Sequence, residues 1–236
     1  MRALGIPFVI VTGRMFRSVR PYAEQAGIED PVVCYQGALV GDPRSGEFMR
    51  HLPIELGLAR EAVRAFEDEG VHVNCYVDDD LYVAELNEYA ERYAGFQNIP
   101  VTAVGRLSDW LDKPPTKLVA VADMERIAVL AGRFRELFRG RLFVATSLPI
   151  FLELASPEVS KGSGMAFVAD RLGFDAAGAI AFGDGENDVE LLDWAGYGIA
   201  VADAHERLKA IADWTCPGPN EAGVASVLEA FLDSRS

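Results

Sequence analysis

Short, uninterrupted apolar runs alternate with helical patterns at both ends of this chain, and that alternation limits the possible folds more than any other feature. Phe8 to Val11 and Val32 to Tyr35 have strand length, and Met15 to Ala26 between them carries helical spacing that stops at Gly27. The pattern returns late. Lys161 to Leu172 reads as a helix before Gly173, Ala179 to Phe182 as a strand, Asp188 to Ala195 as a helix and Ile199 to Val201 as a strand. Helices over Ala204 to Ala212 and Glu221 to Leu232 close the chain. Strands without polar alternation are buried on both faces, so the pattern predicts an α/β fold with a doubly wound parallel sheet.

The middle of the chain reads differently. A helix (Glu55 to Glu69) precedes two strands, Val71 to Val77 and Leu81 to Glu85, joined at Asp78-Asp79-Asp80, and a short helix lies near Glu88. A strand (Lys117 to Val121), a helix (Glu125 to Phe138), a strand (Leu142 to Thr146) and Phe151 to Leu154 follow. Adjacent strands with a tight polar turn imply antiparallel pairing. The expected organisation is therefore a core domain from 1–50 and 147–236 with a smaller α/β domain, 51–146, inserted into it. The three acids at 78–80 suit a solvated turn or a weak cation site. His51, His72 and His205 have no matched partner in the sequence, and Tyr76, Tyr82, Tyr89 and Tyr93 are expected to pack.

Met1-Arg2-Ala3-Leu4, with Gly5 and Pro7 behind it, has the residues of a helix end. Four residues do not sustain a helix. Either the start frays or the body of a helix belongs ahead of it.

Composition excludes several functions. Thirty-six acidic residues against 22 basic ones give a net charge of -14, which disfavours a nucleic-acid or anionic membrane partner. Cys34, Cys75 and Cys216 are odd in number and widely spaced, which points to neither a disulfide framework nor a zinc site and suits a reducing cytoplasm. No apolar run reaches the ~18 residues of a membrane span, and no signal-peptide pattern is present. Oligomeric state is not legible.

Chemistry concentrates at strand ends. Asp184 follows Ala179 to Phe182 in a glycine-containing turn, the place where open α/β sheets bind ligands, and a carboxylate there suits Mg²⁺ among phosphates. Glu186 and Glu190 fit a helix N-terminus through its dipole. Thr12-Gly13-Arg14 ends the first strand with a hydroxyl, a pliable N–H and a cation that together can hold an oxyanion, although Thr12 also suits an N-cap. Lys161 opens a helix, where a cation is misplaced unless an anion sits nearby.

VIVTGR, the lysine in FLELASPEVSKG and GDGENDVELL, in that order around an insert, resemble the haloacid dehalogenase-like (HAD) phosphatases, and most nearly their Cof-type branch with its type IIB cap. The resemblance spans essentially the whole chain. It implies a Rossmann-like core, Mg²⁺ as cofactor and a small phosphorylated metabolite, such as a sugar phosphate, as substrate. Thr12 and Gly13 would bind the phosphoryl group with Asn187, Lys161 would neutralise it, Asp184 would hold Mg²⁺, and Asp188 would support the metal from behind. Arg14 matches the family's Thr-Gly-Arg but is equally open to a structural ion pair. Gln36 and Asp203 stand where Asn is usual.

One departure is large. The family's Asp-x-Asp-x-Thr strand, which carries the attacking carboxylate, has no counterpart in residues 1–236. The expectation is a phosphatase whose first core strand is missing and whose given chain is inactive. The alternative is a non-catalytic protein that binds a phosphorylated metabolite through Thr12, Lys161 and Asn187.

Overall fold

The computed structural model describes residues 4–234. Of the helix end read at the start, Met1 to Ala3 lie outside them. Gly5 turns the chain with a φ of +66°. Phe8 to Val11, expected as a strand, makes one parallel bridge, Val11 to Val33, through Thr12 N–H to Val33 O (2.8 Å) and Val33 N–H to Ile10 O (2.8 Å).

α1 (Phe16–Gln25) follows, then β1 (Val32–Cys34), β2 (Leu39–Gly41) and β3 (Phe48–His51), which make an antiparallel three-stranded sheet. The central segment runs α2 (Leu56–Asp68), β4 (His72–Val77), β5 (Asp80–Val83), α3 (Glu88–Gln97), β6 (Val101–Ala103), α4 (Leu107–Trp110), β7 (Lys117–Val121), α5 (Met124–Leu137), β8 (Phe143–Leu148) and β9 (Phe151–Ala155). Its strands form one sheet in the order β6-β5-β4-β7-β9-β8. After it come α6 (Lys161–Leu172), β10 (Ile180–Gly183), α7 (Val189–Trp194), β11 (Tyr197–Val201), α8 (Glu206–Lys209), β12 (Trp214–Cys216) and α9 (Gly223–Asp233). β10, β11 and β12 are parallel.

The boundary expected at 146/147 falls inside the β8–β9 hairpin. β9 pairs with both β7 and β8, so the six-stranded sheet runs on to Ala155. The ladder decides this, because β9 lies between β7 and β8 in the sheet.

Alternation along β4 explains the layers. Val73, Cys75 and Val77 join the apolar cluster beneath α2 and α5, where Phe66 and Phe134 stack with centroids 4.2 Å apart. Tyr76 faces the other way, into a cluster with Tyr35, Met15 and Phe16 of the flanking segments. Central sheet and core thus share one apolar interior. Lys117 crosses the same junction. It is buried, its Nζ lies 3.2 Å from Glu153 Oε2 and 3.4 Å from Gly13 O, and it sits over the rings of Tyr76 and Tyr35.

The acids at 78–80 need correcting. Asp78 and Asp79 have φ of 53° and 63°, the left-handed pair of a two-residue hairpin turn, but Asp79 is buried rather than solvated. α1 has Met15 at its N-cap position, with no side-chain acceptor to offer. Asp79 fills that role from another part of the chain. Its Oδ1 accepts from Phe16 N–H (3.0 Å) and the Tyr35 hydroxyl (2.7 Å), and its Oδ2 accepts from Arg17 N–H (2.6 Å). Burial pushes its carboxyl above the usual range, against these hydrogen bonds. The Arg17 guanidinium pairs with Asp80. The histidines also acquire partners: His51 meets Thr116 Oγ1 at 2.8 Å, and His72 meets Asn74 Oδ1 at 3.0 Å.

Asp79→Ala strips three donors of their acceptor, and we predict a loss of about 1–3 kcal/mol. Urea denaturation measures it. An unchanged midpoint would show that the hairpin tip does not hold the helix.

Candidate active site

Gly37 sets the geometry. It has a φ of +105°, and a Cβ there would lie 2.0 Å from Ser160 O, so only glycine lets the Tyr35–Gly37 turn press against the start of α6. Ser160 caps that helix, its hydroxyl accepting from Ser163 N–H at 3.0 Å. Lys161, the first helical residue, is then carried inward.

There the misplaced lysine finds its anion. Lys161 Nζ is 2.5 Å from Asp188 Oδ1, and both side chains are more than nine-tenths buried. The other oxygen, Asp188 Oδ2, accepts from Asp184 N–H (3.1 Å) and Gly185 N–H (3.0 Å). Asp188 therefore folds the loop after β10 and neutralises Lys161 at once. Gly183 permits this closeness, since a Cβ there would sit 2.6 Å from Asp188 Cβ.

Asp184 is the carboxylate at the end of β10 that this network leaves exposed. Burial first, and then the negative charge of Asp188, raise its carboxyl above the ordinary value, while Lys161 opposes them. A cation beside it would relieve that repulsion. Among the described residues no group of three or more His, Cys, Asp or Glu side chains converges. The donor set is two carboxylates, one already engaged. That fits Mg²⁺, which keeps several waters and takes one or two carboxylates with phosphate oxygens, and does not fit a closed protein cage.

The first strand end joins through Gln36. Asn187 Nδ2 donates to Gln36 Oε1 at 3.0 Å, and the Gln36 amide lies against Gly13, where a Cβ would approach it to 2.5 Å. Gln36 N–H in turn donates to Thr12 O at 3.1 Å. Thr12 Oγ1 accepts from Arg14 N–H at 3.2 Å, which leaves its own O–H as a donor for something else. Lys161, Asp184 and Asp188 are thus joined by direct contacts, and Thr12, Gly13 and Asn187 through Gln36, the two sets meeting along the chain at Asn187–Asp188. Arg14 lies with its guanidinium 5.9 Å from the Tyr22 ring centroid. Glu186 pairs with Arg207 at 2.8 Å, and Glu190 stands in the first turn of α7.

Sequence reasoning named Gln36 only as a departure and did not weigh Lys117 or Glu153 at all. Gln36 has a detectable signal, a polar residue between Tyr and Gly right after a strand. Lys117 has none, because its neighbours, Gly13, Tyr35, Tyr76 and Glu153, are scattered along the chain.

A doubly wound α/β core with an inserted sheet, and with an ammonium and carboxylates gathered at strand ends, defines a class of phosphate-handling folds. The chain belongs to the haloacid dehalogenase-like hydrolase family, which it matches over residues 1–228. It is 30% identical over 229 residues to the 5-amino-6-(5-phospho-D-ribitylamino)uracil phosphatase YitU of Bacillus subtilis, covering 94% of this chain and 84% of that protein. It is 28% identical to a phosphoglycolate phosphatase of Archaeoglobus fulgidus, covering 97% of this chain and 84% of that one. A crystal structure from Thermotoga maritima superposes with a TM-score of 0.85 at 28% identity, over 97% of this chain and 86% of the other.

Asp188→Ala leaves the Lys161 ammonium and two N–H groups without their acceptor. We predict a loss of about 3–5 kcal/mol in chemical denaturation, the cost of breaking a buried pair from one side. A change below about 1 kcal/mol, the range of solvent-exposed pairs, would mean the pair is solvated instead.

Proposed function

We propose that this chain forms the greater part of a Mg²⁺-dependent phosphomonoesterase acting on a small phosphorylated metabolite, such as a sugar phosphate, in the cytoplasm. The observation that supports the reading is the buried Lys161–Asp188 pair, whose carboxylate also accepts from the Asp184 N–H, with Asn187 bonded to the Gln36 amide that lies against Gly13. Thr12 O–H, Gly13 N–H and Asn187 Nδ2 offer hydrogen-bond donors to phosphoryl oxygens, and the Lys161 ammonium offers charge. Lys161 spends one N–H on Asp188 and has two others. Asp184 would hold Mg²⁺, which when bound neutralises charge on the phosphoryl oxygens, and Asp188 keeps Asp184 and Lys161 in place. The sheet from β4 to β9 acts as the cap that closes on the substrate.

A carboxylate nucleophile splits one hard displacement into two easier ones. None of the residues gathered here has that role: Asp188 is tied up by Lys161, and Asp184 is assigned to the cation. We place the nucleophile on a strand that residues 1–236 do not supply. A cavity of about 350 Å³ beside β10 supports that placement.

Hydrolysis of 4-nitrophenyl phosphate with Mg²⁺ tests the reading. Residues 1–236 alone should give no turnover above background. An N-terminal extension bearing Asp-x-Asp-x-Thr should restore it, and Lys161→Ala in that longer protein should lower kcat by about 10²–10³. Clear activity from 1–236 alone would overturn the inactivity claim, and an inert longer protein would overturn the phosphatase reading.

A further inference from the structure

The turn from Thr12 to Arg14 is held from two sides. Thr12 O accepts from Gln36 N–H at 3.1 Å and Arg14 O accepts from Tyr35 N–H at 3.0 Å, so the Tyr35–Gly37 turn of the core fixes the first and last carbonyls. The carbonyl between them, Gly13 O, meets the Lys117 ammonium of the inserted sheet at 3.4 Å. A peptide unit is planar and trans, so its C=O and N–H point in opposite directions. The N–H across from the Gly13 carbonyl belongs to Arg14, and it donates to Thr12 Oγ1 at 3.2 Å. One line of contacts therefore runs from Glu153 through Lys117 and the Gly13–Arg14 peptide to the Thr12 hydroxyl.

Stability of the sheet does not account for the Lys117–Glu153 pair. β7 and β9 are already joined by the register from Leu118↔Leu154 to Val121↔Phe151, and a buried ion pair adds little that apolar side chains of similar volume would not. Both residues are nonetheless buried, with the ammonium 5.4 Å from the Tyr76 ring centroid and 5.9 Å from that of Tyr35. Burial opposes the charge, but Glu153 outweighs it, so the ammonium is held above its ordinary pKa and stays protonated at neutral pH. What the pair does achieve is to present a cation to one carbonyl of the core. That carbonyl belongs to a glycine, whose backbone turns most freely when nothing holds it.

We infer that Lys117 is a positioning residue for the anion-binding turn. Drawn to Gly13 O, it sets the Gly13–Arg14 peptide so that Arg14 N–H occupies a lone pair of Thr12 Oγ1, which leaves the hydroxyl proton to point at a phosphoryl oxygen. Because Lys117 lies on β7, the turn is set for an anion only when the inserted sheet is seated on the core. Seating of the sheet and anion affinity are thereby coupled through one peptide plane. The inference rests on the phosphoryl-binding reading of Thr12 for its purpose, but its first measurement does not need that reading.

The test compares residues 1–236 with the double variant Lys117→Met/Glu153→Gln, which leaves neither buried charge without its partner. Amide exchange at Arg14, followed by NMR, should quicken about tenfold, the effect of one lost hydrogen bond, while the amides of β7 and β9 keep their rates. Affinity for inorganic phosphate with Mg²⁺, measured by calorimetry, should fall about tenfold in the double variant and likewise in Thr12→Val. Joining all three substitutions should weaken binding no more than Thr12→Val alone, since Lys117 acts through that hydroxyl. Should the double variant fold poorly, Lys117→Gln with Glu153→Gln keeps a polar contact between the strands but is too short to reach Gly13, and the same results are expected.

An unchanged rate at Arg14, a rise shared by β7 and β9, or losses from Thr12 and Lys117 that simply add would each overturn the inference. If Arg14 responds as expected and the wild-type chain takes up no phosphate, the positioning of the peptide stands and the phosphoryl-binding reading of this turn fails.

Discussion

The contact between Lys161 and Asp188 is the one on which the rest of the site depends. A buried ammonium and a buried carboxylate are each expensive to desolvate, and their attraction offsets that cost only when the remaining lone pairs and protons are also met. Here the remaining carboxylate oxygen is met by the Asp184 and Gly185 N–H groups, so one carboxylate fixes both a helix start and a strand-end loop. Glycines at 37 and 183 allow the close approaches on either side. Preorganisation of this kind holds donors and charge in place before a substrate arrives.

A second constraint ties the inserted sheet to the core. Asp79 caps α1 from the tip of the β4–β5 hairpin, and Lys117 reaches from β7 to the carbonyl of Gly13. α1 begins three residues after Gly13, so both contacts bear on the loop that would receive a phosphoryl group. The inserted sheet is therefore seated on the very segment it would have to regulate.

Much of this was legible in the sequence where the physics is local. Helix α6 and strand β7 were expected with their observed limits, because a capping serine, a terminal glycine and an apolar run mark them without ambiguity. The β2–β3 hairpin, β6 and β12 were not read, since strands of three or four residues carry no distinctive period. The turn at 78–80 was recognised, but the burial of Asp79 was not, because its three donors lie 44 to 63 residues away. Lys161 was found through its misplacement at a helix start. Lys117 sits in an apolar strand with its charge partner Glu153 36 residues on, and nothing local separates it from a solvated edge lysine. Local rules reveal elements and strand-end chemistry; charges neutralised across the fold need coordinates.

The central claim is that one oxyanion pocket is built from Thr12, Gly13, Lys161 and Asn187 with a cation on Asp184. Diffraction from the chain carrying an N-terminal Asp-x-Asp-x-Thr extension, soaked with orthovanadate and Mg²⁺, tests it directly. The account predicts vanadate oxygens within hydrogen-bond distance of Thr12 Oγ1, Lys161 Nζ and Asn187 Nδ2, with Mg²⁺ on an Asp184 oxygen. Vanadate bound elsewhere, or bound there without contact to Lys161 and without a cation at Asp184, would contradict it.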